Sequence, residues 1–324
     1  MNWLAKRFQQ SKFKRHYFAE IPIDLTRVGE FRGERFPESG PTPWLDRADA
    51  LEAIDRKLKS GELSETEAEL CFKWTTDGYI AVPKLIDQKL LDEVWTAYEA
   101  AIDDGTIQVG AESIGPEDIH PGRHLDTHLV LPVVRKIQQH PEIIAITDLL
   151  FGRKTWPFQT IMGHKGSSQE PHSDSVHMTT YPKGYMLANW IAFENIHENS
   201  GPLEYYPRSH RLVPDLLSSD IGIEAREFKN GSGVYSTRYE PAVRRYIDAM
   251  NLKPSYFTAK AGDVFFWHAK LLHGGSKRKD HSLSRKALVC HYFAEGSVTY
   301  HDLSGNPSRI HRKGLYAEPT IEWL

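Results

Sequence analysis

The sequence predicts a mainly β protein, a sandwich or a barrel, with α-helices from the N-terminal part of the chain packed against it. Residues 46–150 place apolar side chains at helical spacing between turn signals. After Thr155 the chain breaks into short strand-length segments separated by Gly, Pro, Ser and Asn, the pattern of sandwiches and barrels. Eight Trp, 14 Tyr and 14 Phe suffice to fill a β-rich core.

Composition sets the broad class. A chain of 324 residues with 40% hydrophobic and 26% charged residues is typical of a soluble globular protein, and a net charge of −3 gives no general attraction to nucleic acid. Cys71 and Cys290 lie in apolar surroundings, which predicts buried free thiols and a reducing compartment. The absence of an apolar run of about 20 residues and of a secretory signal predicts a cytoplasmic protein.

Residues 1–62 are predicted to form a basic arm, a connector and a helix. Residues 1–18 mix basic and aromatic side chains, which suits peripheral contact with an anionic surface at the inner face of a membrane. Their apolar residues do not share one helical face, so an arm packed on its own domain is the alternative. Residues 21–45 read as an extended connector, and residues 46–60 as an amphipathic helix.

The next elements follow from capping and periodicity. Ser64 and Glu67 form a capping-box sequence, which predicts a helix that ends near Thr75. In order, the chain then predicts a strand at 79–82, a helix at 85–102, an irregular stretch at 103–131 and two helices within 131–150 divided at His140-Pro141.

The β-rich part is predicted from Thr155 onward. A polar insert around 215–251 interrupts it, and residues 241–250 of this insert have a helical pattern. The segments with strand-forming residues and flanking turn signals are 156–162, 176–180, 186–194, 203–206, 255–259, 263–267 and 286–293.

A metal-ligand pattern lies among these strands. His172 and Asp174 are two residues apart, and a strand directs residues i and i+2 to the same face. We place the third ligand at His273. Two His and one carboxylate on one face, with other positions open, suit a non-haem Fe(II) oxygenase.

Other histidines compete for these roles. The chain has 16 His and a second His-x-Asp pattern at His124 and Asp126, in the irregular stretch where histidines are usually solvated. His268 competes with His273. We favour His273 because two glycines follow it, and glycine lets the backbone approach a ligand closely.

Four motifs in a fixed order extend the pattern: His-Ser-Asp at 172–174, Asn-Ser-Gly-Pro to Pro-Arg-Ser-His at 199–210, Gly-Asp-Val-Phe-Phe-Trp-His at 262–268, and Arg-Lys-Ala at 285–287. From about Ser64 to Phe293 the sequence resembles the phytanoyl-CoA dioxygenase family of Fe(II)/2-oxoglutarate-dependent oxygenases. This resemblance implies a double-stranded β-helix (a cupin-like jelly roll) with N-terminal helices outside. It also implies a single dioxygenase domain at 63–324, with the insert as a lid.

The resemblance assigns further site residues. It implies that His172, Asp174 and His273 hold Fe(II), and that Arg285, 12 residues after His273, holds the C5 carboxylate of 2-oxoglutarate, which a guanidinium binds bidentately. Arg278 and Lys279 are solvated competitors for that role. The other residues implied to contact the cosubstrate are Ser276, Trp190 (with a plain core role as the alternative), Gln159 and a second cation near Arg123.

The substrate pocket is predicted to be polar and aromatic, which disfavours a long fatty acyl chain. Arg208 replaces the glycine usual in the family, so it either reshapes its turn or faces an anionic substrate. Lys165, Lys183 and Arg211 also favour an anionic substrate. The residues predicted to contact the substrate are His177, Met178, Tyr181, Tyr205 and Arg208.

The predicted function is hydroxylation of an unactivated carbon in a small, polar or anionic molecule, with O₂ consumed and 2-oxoglutarate converted to succinate and CO₂. Relatives that halogenate have a small residue in place of the carboxylate ligand, so Asp174 favours hydroxylation. Desaturation, cyclisation or epimerisation on the same scaffold stays open, as does a non-catalytic metal-binding interaction module. The sequence predicts no nucleic-acid partner and leaves the oligomeric state undetermined.

Overall fold

The computed structural model describes residues 31–37, 40–108, 122–224, 227, 233–312 and 319–323. Its centre is a set of antiparallel β-sheets, and helices cover one face of the largest sheet. The mainly β class with helices outside is therefore confirmed. The basic arm at 1–18 lies outside the described residues, and membrane contact through it stays a prediction.

Most of the helices before the β-rich part begin and end where local signals place them, whereas the short helix Thr127–Val130 lies within the stretch predicted to be irregular. Ser64 caps the second helix: its hydroxyl accepts the amide N–H of Glu67 at 3.3 Å, and the Glu67 carboxylate accepts the amide N–H of Ser64 at 2.8 Å. Pro141 occupies the first turn of the sixth helix, where a missing N–H costs nothing. The helices are α1 (Ala50–Ser60), α2 (Glu65–Asp77), α3 (Gln88–Asp103), α4 (Thr127–Val130), α5 (Val134–Gln138) and α6 (Pro141–Phe151).

The largest sheet has six strands in the order β1-β8-β5-β10-β3-β2. Successive side chains of a strand point to opposite faces. Accordingly Leu187 and Ile191 of β5 pack toward the helices, whereas Ala188 and Trp190 pack on the other face. The strands are β1 (Tyr79–Val82), β2 (Arg123–Leu125), β3 (Thr155–Gly163), β5 (Met186–Ala192), β8 (Val264–His268) and β10 (Ala287–Ala294).

Two smaller sheets lie on the side of the six-stranded sheet that the helices leave uncovered. Their strand orders are β7-β6-β9 and β13-β12-β11-β4. The region predicted as a strand at 176–180 begins instead with a 3₁₀ turn, Asp174–Val176, and its strand is shorter. Three strands lie after residue 293, beyond the last strand that the sequence predicted. The strands of the two sheets are β4 (Thr179–Tyr181), β6 (Leu203–Tyr205), β7 (Ser255–Phe257), β9 (His273–Gly275), β11 (Val298–His301), β12 (Asn306–Arg312) and β13 (Pro319–Trp323).

The insert packs on the segment that carries His172 and Asp174. The Tyr239 hydroxyl lies 3.3 Å from both the amide nitrogen and the carbonyl oxygen of Ser173, and Arg244 donates to the Glu170 carboxylate at 2.6 Å. Its role as a lid stays a prediction. Helix α7 (Ser209–Leu212) precedes the insert. The insert contains α8 (Ser218–Ile221), a π-helix (Tyr235–Tyr239) and α9 (Glu240–Ala249).

Cys71 and Cys290 are both buried and free, as predicted. Burial raises the pKa of each thiol to about 12, because the thiolate loses its hydration, so both are protonated at neutral pH. Among the residues that the structure describes, no helix combines the length and apolarity needed to cross a membrane.

Candidate active site

Three predicted ligands converge between the sheets. His172, Asp174 and His273 are buried, and one potential ligand atom from each lies within 4.8 Å of the others. The carboxylate stands between the imidazoles: Asp174 Oδ1 is 3.6 Å from His172 Nε2, and Oδ2 is 3.7 Å from His273 Nε2. This arrangement of two imidazoles and one carboxylate could hold a metal ion.

Long-range backbone pairing creates the site. His172 and His273 form an isolated antiparallel bridge, with amide N–H to carbonyl distances of 2.9 and 3.0 Å in the two directions. The expectation that one strand carries both His172 and Asp174 is wrong. His172 is held by this bridge, whereas Asp174 begins the 3₁₀ turn, so the turn aims the carboxylate at the imidazoles.

Neighbouring groups orient the three side chains. The Nδ1 atoms of His172 and His273 lie 2.9 and 3.0 Å from the carbonyl oxygens of Glu170 and Leu271, which leaves each Nε2 facing the site. Such contacts fix the ring and tautomer of a ligating histidine. Burial lowers the pKa of both imidazoles to about 4, so at neutral pH both are in the uncharged form that binds metal.

Asp174 is oriented by an indole. Trp267 Nε1 donates to Asp174 Oδ2 at 3.0 Å, and both side chains are buried. The sequence motif contained Trp267, but nothing in the sequence linked it to Asp174. The link arises because β8 faces the ligand segment across the interior.

A buried cation lies in the same cavity. Arg285 Nη1 donates to the carbonyl oxygen of Gly201 at 2.9 Å, and its guanidinium lies 5.8 Å from the ring of Trp190. Its Nε has no partner, and no carboxylate among the described residues interacts with the guanidinium. Burial, with Arg123 and Arg278 nearby, lowers the pKa of Arg285 to about 10, so it remains charged and lacks an anion.

The cavity has a volume of about 460 Å³. It brings the triad and Arg285 together with Trp190, Gln159, His177 and Met178, all predicted from the sequence. Arg123 and Lys165 also line it, and Arg123 donates to the Gln169 side chain at 2.9 Å. These side chains supply polar and cationic groups, and Leu125, Ile161 and Val289 supply apolar ones.

Four residues predicted to contact the cosubstrate or the substrate do not line this cavity: Ser276, Tyr181, Tyr205 and Arg208. The Ser276 hydroxyl donates to the carbonyl oxygen of Pro202 at 2.8 Å. Tyr181 stacks on Phe36 at 4.9 Å between ring centroids, and Tyr205 packs in the core. Neither tyrosine lines the cavity, because Tyr181 packs on Phe36 and Tyr205 on Phe265, so their predicted place in the substrate pocket is corrected.

Arg208 does not line the cavity that holds the triad. It has a positive φ of 69°, and its amide donates to the carbonyl oxygen of Asp77 at 2.8 Å. The turn thus keeps the left-handed backbone that a glycine adopts easily. Lys183 pairs with Asp215 at 2.6 Å, and Arg211 donates to backbone carbonyls, so these cations give the cavity no positive charge.

The competing histidines are engaged elsewhere. His268 Nε2 lies 3.2 Å from Asp46 Oδ2, outside the triad. His124 Nδ1 lies 2.5 Å from the Tyr98 hydroxyl, and Asp126 precedes α4 with a φ of 54°. Neither pair joins a three-ligand cluster among the residues described.

Sequence reasoning missed His291 and His301, which both line the cavity. His291 Nε2 is 3.8 Å from Asp174 Oδ2, and burial lowers the His291 pKa to about 4. Alternation could have found it, because Arg285 and His291 are six residues apart on one continuous segment. His301 lies beyond the last strand that the sequence predicted, where no local pattern pointed to the site.

A mainly β scaffold holds two imidazoles and a carboxylate beside a buried arginine that has no carboxylate partner within the described part of the chain. This combination defines the class: a 2-oxoglutarate-dependent non-haem iron oxygenase. Residues 74–287, well over half of the chain, match the phytanoyl-CoA dioxygenase (PhyH) family, and the protein belongs to this family. The predicted resemblance and enzyme class are therefore confirmed, and Fe(II) and 2-oxoglutarate are the cofactors of that class.

Solved structures share the fold at low identity. The carbocyclase SnoK from nogalamycin biosynthesis has a TM-score of 0.55 at 17% identity over 81% of this chain and 90% of its own. The epimerase SnoN from the same biosynthesis has a TM-score of 0.52 at 18% identity, covering 72% and 84%. EctD from S. alaskensis, solved with 2-oxoglutarate and 5-hydroxyectoine, has a TM-score of 0.52 at 18% identity, covering 72% and 76%. The comparison with curated proteins found no match.

Proposed function

We propose that the protein hydroxylates an unactivated carbon of a small polar molecule, with Fe(II) held by His172, Asp174 and His273. One observation carries this proposal: the triad shares a single cavity with the Arg285 guanidinium, which has no carboxylate partner among the residues described. A cosubstrate with a carboxylate at each end matches this pairing of a metal position with a distant cation.

When bound, iron with 2-oxoglutarate supplies the oxidising power for cleaving a carbon–hydrogen bond. The protein's own residues bind the cosubstrate and orient the metal ligands. Arg285 neutralises the far carboxylate, and Trp190 covers the guanidinium with its ring. Trp267 and the carbonyl oxygens of Glu170 and Leu271 hold the ligands in their binding orientation. Burial keeps bulk water away from these contacts, which strengthens each electrostatic interaction.

We infer a polar substrate from the hydrogen-bonding groups that line the cavity beside its apolar surface. Gln159, Ser167 and Gln169 offer amide and hydroxyl groups, and Met178 and Leu125 offer small apolar surfaces. Of the four cations that suggested an anionic substrate, Lys165 lines the cavity whereas Lys183, Arg208 and Arg211 do not. The support for an anionic substrate is therefore weaker than the support for a polar one.

Anaerobic titration with Fe(II) and 2-oxoglutarate tests the proposal, because a chelated 2-oxo acid on Fe(II) gives a visible charge-transfer band. We expect a band in the native protein, its loss in His172→Ala, and a strongly raised 2-oxoglutarate concentration for half-saturation in Arg285→Ala. The exposed residues His197 and Lys279 provide matched controls. Both His197→Ala and Lys279→Ala should retain the native band.

The absence of a band in folded, iron-loaded protein would contradict the proposal and favour a metal-binding interaction module. If the band forms, product analysis with candidate substrates separates hydroxylation from desaturation, cyclisation and epimerisation. A product that has gained one oxygen atom supports hydroxylation. A product of unchanged composition, or one that has lost two hydrogens, refutes it.

A further inference from the structure

Two histidines outside the ligand set are joined at the edge of the cavity. His177 Nδ1 lies 3.3 Å from His301 Nε2, and both residues line the cavity. The other nitrogen of His301, Nδ1, accepts the backbone N–H of Ser304 at 3.1 Å. These two contacts form a chain that starts at a backbone amide and ends at the His177 ring.

These two hydrogen bonds determine which ring nitrogen of each histidine carries the proton. A backbone amide can only donate, so His301 Nδ1 must be unprotonated. A neutral His301 therefore carries its proton on Nε2 and donates it to His177 Nδ1. His177 Nδ1 is then an acceptor, so a neutral His177 carries its own proton on Nε2. Burial lowers the pKa of both histidines, which supports their neutral forms.

The turn behind His301 is held rigidly. It connects β11 to β12, and the buried carboxylate of Asp302 accepts the amide N–H of Gly33 at 2.6 Å and that of Ser218 at 2.7 Å. The Ser218 hydroxyl also donates to it. Because a carboxylate with several donors resists displacement, these hydrogen bonds anchor the turn that presents His301 to His177.

The His177 ring, which ends this series of hydrogen bonds, lines the cavity. The His177 ring centroid lies 6.4 Å from that of the metal ligand His172 and 4.9 Å from that of Tyr235. No group within the described parts of the chain hydrogen-bonds to His177 Nε2. The structure thus provides a preset N–H donor beside the triad, with its other nitrogen already engaged.

We propose that His177 Nε2–H is a specificity-determining donor that recognises an oxygen acceptor (a hydroxyl, ether or carbonyl oxygen) on the substrate. This inference rests on the proposed function, because it places the acceptor beside the carbon presented to the triad. A donor-only group such as an ammonium has no lone pair to offer at this position. His177 positions the substrate and takes no part in holding the metal.

The tautomer can be measured without a substrate. Protein with ¹⁵N-labelled histidine, loaded with diamagnetic Zn(II) and 2-oxoglutarate, is studied by long-range ¹H–¹⁵N correlation at pH 7.5, and His177→Asn assigns the signals. We expect both His177 and His301 to carry the proton on Nε2. A predominant Nδ1–H form or an imidazolium at His177 in the native protein would overturn the proposal.

Two variants of His301 test the link. In His301→Gln the side-chain amide can still donate near the position of Nε2, so His177 should keep its tautomer. In His301→Leu the donor is lost, and His177 should become a mixture of tautomers. An unchanged His177 tautomer in folded His301→Leu would show that the hydrogen bond from His301 does not set the tautomer of His177. If His301→Leu does not fold, the tautomers measured in the native protein and in His301→Gln still test the proposal.

Three ring-sized probes test recognition: cyclohexanol, cyclohexanone and cyclohexylammonium. We expect the alcohol and the ketone to shift the His177 Nε2–H signal and the ammonium to leave it unchanged. An equal response to the ammonium, or no response to any probe, would overturn the inference. The charge-transfer band needs only Fe(II) and 2-oxoglutarate, so its absence refutes the proposed function, whereas a band with the wrong His177 tautomer refutes only this inference.

Discussion

Replacing Trp267 by Phe should weaken metal binding without unfolding the protein. The indole N–H donates to Asp174 Oδ2 at 3.0 Å, inside a region where Trp267 is 2% and Asp174 4% exposed. The nearest nitrogens of His273 and His291 are 3.7 and 3.8 Å from the same oxygen, too far to replace the bond. Phe keeps most of the ring and removes the donor, so a buried carboxylate oxygen loses its hydrogen bond.

The magnitude follows from the charge of the acceptor. A hydrogen bond to a charged group contributes about 1.5–3 kcal/mol, which corresponds to roughly 10- to 100-fold in an equilibrium constant. Removing partners that orient metal ligands commonly costs about 10- to 100-fold in metal affinity. We therefore expect the Fe(II) dissociation constant of Trp267→Phe to rise by about 10- to 100-fold, measured anaerobically by competition with a chelator of known affinity.

Trp190→Phe is the matched control. Trp190 is equally buried and lines the same cavity, but its Nε1 has no hydrogen-bond partner among the residues that the structure describes, so the substitution removes a similar volume and no observed bond. Its Fe(II) affinity should stay within about threefold of the native value. Equal weakening in both variants would mean that repacking causes the loss. Unchanged affinity in folded Trp267→Phe would mean that the indole does not orient the carboxylate.

Three further predictions concern stability, each measured by thermal or denaturant unfolding. Ser64→Ala should cost about 1 kcal/mol, because the capping hydroxyl at the start of α2 is lost; an unchanged midpoint would contradict this role. Gly78→Ala should cost about 1–3 kcal/mol more than Gly61→Ala, since both glycines have positive φ but only at Gly78 would a Cβ lie 2.4 Å from the His210 ring; equal losses would refute the contact. Burial lowers the pKa of His128 to about 4, so the unfolded chain binds more protons between about pH 6.5 and pH 4, and stability falls by up to about 3 kcal/mol as pH drops through that window. His128→Gln should reduce this dependence, and a native slope that the variant leaves unchanged would show that other groups cause it.

Much of the fold could be predicted because its signals are local. The capping box at Ser64 and Glu67 sets a helix start through contacts three residues apart. The helix break at Pro141 follows from a missing backbone donor. Alternation along the central strands predicts which side chains face the interior. The insert's second helix, predicted at 241–250, is found at Glu240–Ala249 for the same reason.

The site was predicted where motif residues carry their own chemistry. His172 and Asp174 were predicted from their spacing, and Arg285 from the resemblance to the family. The prediction failed where a side chain's direction depends on sheet pairing. Tyr181 and Tyr205 lie near the motifs in sequence, yet their strands direct them into packing with Phe36 and Phe265.

By itself, the sequence therefore determined the residue types of the candidate iron and cosubstrate site, much of the order of the elements and the class of chemistry. Only the tertiary structure decided how His172 pairs with His273, which indole donates to Asp174, and that His301 reaches His177. The physical reason is the range of the interactions. Caps, turns and periodicity depend on neighbours within a few residues, whereas hydrogen bonds between distant strands depend on the register of the whole sheet.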